Sequence, residues 1–145
     1  MIKSCKFCRI ISEEPNVPFV LEDESCVAFL DHRPLFHGHC LLVPRMHYET
    51  LTDLPGTLTG PFLGCAKLLC RAVEESMGAE GTFVAINNKI SQSVPHLHAH
   101  VVPRKKGDGL RGFFWPRQRY ADHVEMSDVA NRIKALVDLF RRDPE

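Results

Sequence analysis

Three histidines recur at every second position in His96-Leu97-His98-Ala99-His100-Val101-Val102, and Pro103 follows. A period of two belongs to a β-strand, whose successive side chains take opposite faces. The spacing predicts a strand over residues 96–102 that carries His96, His98 and His100 in a row on one face, with Cα atoms about 6.5–7 Å apart. Leu97, Ala99 and Val101 fall on the opposite face, expected in a core. A strand face turned to water more naturally carries Thr, Lys or Glu. By residue type alone the row reads as a solvated polar face, a reactive site or a set of metal ligands.

The rest of the chain fits around such a strand. Cys5 to Ser12 predicts a short helix ended before Pro15, and Phe19–Glu22 and Ser25–Asp31 predict strands. His39–Pro44 is a short apolar run closed by proline and reads as a buried strand. Thr59 is expected to cap a helix with Pro61 in its first turn. Leu63, Ala66, Leu69, Cys70, Val73 and Met77 then recur at helical spacing, and Gly78 is placed to end the helix. Thr82–Asn87 predicts a further strand. Residues 104–120 read as an irregular loop, and Ser127 is expected to cap a final helix over about 127–142. Strands separated mostly by turns favour an antiparallel sheet, hence an α+β fold, and 145 residues suit one domain.

Eighteen basic and eighteen acidic residues cancel, so bulk charge gives no reason to expect nucleic-acid binding. No segment approaches the roughly 20 apolar residues of a membrane span. Met1 to Glu14 lacks the apolar centre of a secretory signal, so a cytoplasmic, reducing setting is expected. Of six cysteines, Cys26, Cys40, Cys65 and Cys70 sit in apolar stretches and read as small buried hydrophobes. Cys5-x-x-Cys8 admits three readings: a redox pair, half of a zinc site, or coincidence. The redox reading wants a βαβ context that the pattern lacks. Asp31, before Pro34, reads by itself as a turn cap. Phe7, Ile10, Phe29 and Leu30 read as core.

These residues together resemble the histidine triad (HIT) family, whose signature is His-φ-His-φ-His-φ-φ with φ apolar. His96 to Val102 fits it at every position. The resemblance runs in family order from residue 5 to about 104, through Cys5-x-x-Cys8, Ala28-Phe29-Leu30-Asp31, Gly38-His39, Val43-Pro44-Arg45 with His47, and Asn87 with Gln92-Ser93-Val94. It implies a nucleotide-binding α+β fold, roughly a five-stranded antiparallel sheet with one long helix, here with an added C-terminal helix. It also implies a homodimer. In such proteins the middle histidine, here His98, attacks the α-phosphorus to give a nucleotidyl-histidine that water resolves. An imidazole does this with one ring nitrogen unprotonated while the other donates to a carbonyl.

The resemblance further implies that His100, Gln92 and Ser93 offer donors to phosphate oxygens, with Ser93 near the leaving atom. No catalytic metal is required. It implies that Asp31 accepts from ribose hydroxyls, that Asn87 lies near ribose and phosphate, and that Phe7, Ile10, Phe29 and Leu30 wall a purine pocket. Where relatives carry the cysteine pair, a structural zinc is completed by two histidines, here giving Cys5, Cys8, His47 and His96 with one ion per chain. His39 is expected to pack near the site. His32 stands where many relatives have an aliphatic residue, and the Asn88–Ser91 loop is short and lacks the usual glycine. The expected substrates are dinucleoside polyphosphates or purine nucleoside phosphoramidates. The alternative is a nucleotide-binding regulatory module with little turnover. The basic, aromatic 104–120 loop, with Phe113, Phe114, Trp115 and Arg117, is expected to guide polyphosphate, contact a second subunit, or remain solvated.

Overall fold

The computed structural model describes residues 4–13, 17–111 and 118–142. The chain divides into two compact units, Met1–Asp108 and Gly109–Glu145. The first unit holds helix α1 (Lys6–Ser12), strands β1 (Phe19–Glu22), β2 (Cys26–Leu30) and β3 (Cys40–Pro44), helix α2 (Gly56–Met77), and strands β4 (Gly81–Ile86) and β5 (Ala99–Arg104). The strands form one antiparallel sheet in the order β1-β2-β3-β5-β4. The second unit holds helix α3 (His123–Arg142).

Strand alternation sorts the sheet into two faces. Cys26, Ala28, Cys40, Leu42, Ala99 and Val101 pack with Phe62, Cys65, Ala66, Leu69 and Val73 of α2, whose 3.6-residue stripe fits that face. Val27, Phe29, Leu41 and Val43 pack on the other side with Cys5, Phe7, Cys8 and Ile10. With both faces covered, β2 and β3 read as near-continuous apolar runs. The cysteines form no disulfide, and burial pushes the Cys26 and Cys40 thiols up to about 12 and about 11. They act as small hydrophobes. The expected α+β fold is the one observed, and Gly78 ends α2 at φ +57°.

Three elements differ from expectation by more than one residue, and α1, β2, β3 and β4 by one. Helix α2 begins at Gly56 after Pro55, so Thr59 lies inside it and Pro61 falls in its second turn. Leu58 packs against the α2-side core and draws the preceding turn into the helix, while Pro61 only forgoes one backbone bond. Strand β5 begins at Ala99, so His96, Leu97 and His98 precede it, and Pro103 lies within it opposite Thr82. The β3 ladder with β5 stops at Val101. Pro103 therefore has β4 alone as a strand neighbour, an edge-like position that tolerates proline. Helix α3 begins four residues earlier than expected. Asp122 Oδ1 accepts the Glu125 amide at 2.8 Å, and the Glu125 carboxylate reaches back to the Ala121 amide, so Asp122 rather than Ser127 caps it.

Candidate active site and metal centre

The segment before β5 is fixed by bonds to neighbouring loops. The Leu97 amide donates to the Tyr48 carbonyl at 2.6 Å, and Leu97 is fully buried on the α2 side. His96 and His98 thereby face the α1 side. Phe7 lies edge-on to both, with ring centroids 5.9 and 5.2 Å away, and His98 sits 5.1 Å from His100. The shared face expected of the three histidines holds, although only His100 lies in the strand. The row is not a solvated face: His96 is 0% and His98 3% exposed.

His96 joins a cluster with Cys5, Cys8 and His47, whose donor atoms all lie within 4.8 Å of one another. Its Nδ1 is 3.5 Å from Cys5 Sγ and 3.6 Å from Cys8 Sγ, and His47 Nδ1 is 3.5 Å from Cys8 Sγ. Zinc bonds of about 2.3 Å to sulfur and about 2.05 Å to nitrogen give a tetrahedral S···N edge of about 3.5–3.6 Å. His96 Nε2 donates to the Pro44 carbonyl at 2.9 Å, which leaves the Nδ1 lone pair toward the sulfurs. Burial above all pushes His96 down to about 4, so the ring is neutral, as ligation demands. The set fits a closed tetrahedral zinc ion.

The His96 carbonyl has a second task. It accepts the Nδ1–H of His98 at 2.7 Å, which leaves the lone pair of His98 on Nε2. The tautomer of His100 is fixed by a chain of donors. The Leu35 amide donates to His39 Nδ1 at 3.1 Å, so the His39 proton sits on Nε2 and is given to His100 Nδ1 at 2.9 Å. The His100 proton is then on Nε2. Burial pushes His100 down to about 4, aided by His98 and His39 and opposed by Asp31. Burial also lowers His39, again against Asp31. The sequence marked His39 only as packing near the site. Its one local signal is Gly38, at φ +93°, where a Cβ would lie 2.6 Å from Met77 Cγ.

A cleft of about 630 Å³ opens beside these rings. Phe7, Ile10, Phe29, Leu30, Asp31, Ser93, His98 and His100 all line it. Phe7, Ile10 and Phe29 are also core residues of the α1 side, whereas Leu30 is half exposed. Asp31 Oδ1 accepts the Arg33 amide at 2.9 Å, a turn cap, while Oδ2 lies 3.8 Å from His39 Nε2. Lys6, Val17, His32, Arg33, Leu41 and Val94 also line it, and alternation along β3 puts Leu41 on this face.

Asn87 and Gln92 do not line the cleft. Asn87 donates to the Ser91 carbonyl, and the Gln92 amide bridges the Lys89 amide and the Glu49 carbonyl. They brace a loop in which Lys89 and Ser91 take positive φ without glycine. Their side-chain amides are spent on backbone groups, which a local motif could not reveal. At the start of the 104–120 loop, Arg104 is held bidentately by Asp108. Phe113, Phe114, Trp115 and Arg117 lie outside the described residues. No helix among the described residues is long and apolar enough to cross a membrane.

A family model for the HIT domain matches residues 12–107. The chain belongs to the HIT family. It is 34% identical over 136 residues to the adenylylsulfatase HINT3 of Arabidopsis thaliana, covering 92% of this chain and 67% of that protein. It is 31% identical over 118 residues to the adenosine 5′-monophosphoramidase HNT1 of Saccharomyces cerevisiae, covering 79% and 72%. Among solved structures, a zinc-bound histidine triad family protein from Mycobacterium smegmatis superposes with a TM-score of 0.69 at 35% identity, covering 93% of this chain and 96% of that one. The HIT match includes His98 and His100 and begins after Cys5 and Cys8.

Proposed function

We propose that this HIT protein is a nucleotide hydrolase or nucleotidyl transferase acting at the α-phosphate through a nucleotidyl-His98 intermediate. One observation carries the reading: His98 Nδ1 is bound to the His96 carbonyl, which leaves the Nε2 lone pair beside a cleft that His100 and Ser93 also line. In this mechanism the apolar slot between α1 and β2 takes a purine base, and Asp31 accepts from the ribose. His98 Nε2 attacks the α-phosphorus, a P–N bond forms, and the bond to the leaving group breaks. The leaving group keeps the bonding pair and takes a proton, for which Ser93 supplies a hydroxyl. The His100 Nε2–H donates to a phosphate oxygen as charge develops. Water then attacks phosphorus and cleaves the P–N bond, its proton restores the Ser93 hydroxyl, and the nucleoside monophosphate and the imidazole are freed. The names of the Arabidopsis and yeast relatives support nucleotide chemistry with either acidic or amine leaving groups.

The reading includes one structural zinc ion per chain on Cys5, Cys8, His47 and His96, supported by the donor geometry and by the zinc-bound relative. These four residues would hold the ion, which would tie α1 to the loop after β3 and to the segment before β5 as a structural staple. It also includes a homodimer. Exposed Phe83 and Val84 on edge strand β4, with Leu63 and Leu68 on α2, supply apolar surface for a second copy. Rapid quench with radiolabelled substrate tests the chemistry. The wild type is expected to trap a nucleotidyl adduct, and His98→Ala to lose turnover while still binding nucleotide. Unchanged turnover in that variant overturns the assignment. Binding without turnover in the wild type leaves a regulatory module.

A further inference from the structure

The slot of the cleft is built from α1 and β2, where Phe7 and Phe29 meet at 5.5 Å and Ile10 and Leu30 add to the apolar walls. Phosphate chemistry falls to Ser93, His98 and His100, and the ribose to Asp31. The polar side chains left lining the cleft are Lys6, His32 and Arg33. Lys6 immediately precedes Phe7 on α1, and His32 and Arg33 follow directly after Asp31 at the end of β2. They belong to the elements that wall the base, not to the segment that carries the triad. All three are exposed. The Arg33 amide is given to Asp31, but among the described residues neither the Arg33 guanidinium nor the Lys6 ammonium has an ion-pair partner.

Stacking in an apolar slot tolerates every base, because every base has a π-face, so discrimination has to come from the base edge. An ammonium and a guanidinium are donors without an acceptor, whereas His32 can give or accept and sets no preference. Guanine and hypoxanthine present O6 and N7 as adjacent acceptors, which suits two donors. Adenine carries an amino group at position 6, itself a donor. We infer that Lys6 and Arg33 read the base edge and select 6-oxopurine nucleotides over adenine nucleotides. This rests on the nucleotide reading above and narrows it from purines to one kind of purine. Both side chains are long and exposed, so they discriminate less than a rigid, buried pair of donors does.

Calorimetric binding of AMP, IMP and GMP to the full-length protein tests this without requiring turnover. The three share ribose and phosphate and carry the same charge, so only the base edge differs. GMP and IMP are each expected to bind about fivefold to tenfold more tightly than AMP. The double variant Lys6→Met/Arg33→Met keeps an aliphatic stem and removes the donors, and is expected to bring both ratios to about one. Both positions are exposed, and circular dichroism checks the fold. Equal affinity for all three nucleotides in the wild type, or tighter binding of AMP, overturns the inference. A preference for GMP alone also overturns it, because the 2-amino group would then be what is read, and so do ratios unchanged in the double variant. No binding of any of the three overturns the nucleotide reading itself, and this inference with it.

Discussion

His39 Nε2 lies 2.9 Å from His100 Nδ1, and this contact decides which nitrogen of His100 carries the proton. The Leu35 amide pins the other nitrogen of His39, so the order of donors runs one way, toward the cleft. His39 is thus a positioning residue. His39→Phe is expected to release the His100 tautomer and lower kcat/KM about tenfold to a hundredfold, as loss of a buried donor predicts, with nucleotide Kd little changed. Nitrogen-15 shifts of the His100 ring read the tautomer directly. A ring still protonated on Nε2 in the variant defeats this role.

The same contacts set a pH dependence of stability. His100 titrates near 4 in the folded protein, below the ordinary imidazole value of 6.5, because burial disfavours its charge. Its contribution is fully present above pH 6.5. As pH falls from 6.5 toward 4 the unfolded chain takes up a proton that the folded chain does not, and stability drops by at most about 1.4 kcal/mol per pH unit for this one group. His39, also lowered by burial, acts in the same direction. Urea denaturation across this window is expected to show the slope, and His100→Gln to make it shallower while His39 and His96 keep their share.

His96 links the candidate metal site to the proposed nucleophile, since its ring faces the cysteines while its carbonyl holds His98. Protein purified without chelator is expected to contain one zinc per chain by emission spectroscopy. Cys8→Ser is expected to lose it, with Tm falling on the order of 10 °C. Metal-free wild-type protein would remove the zinc assignment and leave the catalytic one standing.

Phe29 and Leu30 both line the cleft, but their burial separates their roles. Phe29→Ala is expected to cost about 3–5 kcal/mol of stability, because it empties core beside Phe7. Leu30→Ala, at a half-exposed position, is expected to stay within about 0.5 kcal/mol of wild type and to weaken nucleotide binding instead. Paired denaturation and binding titrations distinguish the two. A large stability loss at Leu30 contradicts the division.

By itself the sequence determined what depends on near neighbours. The two-residue period from 96 to 102 set which histidines share a face. The segments 25–31 and 39–44 read as strands, the second as a buried one, and Gly78 marked the end of the long helix. These are properties of backbone period and local conformation. Tertiary structure alone decided the rest. It brought Cys5 to His96 across 91 positions, ended the β3 ladder early enough for Pro103 to lie inside β5, and spent Gln92 on Glu49. It also turned His39 from a packing residue into the group that orients His100. Proton positions and donor convergence follow from which atoms meet after the sheet has closed, and residue spacing carries no record of those meetings.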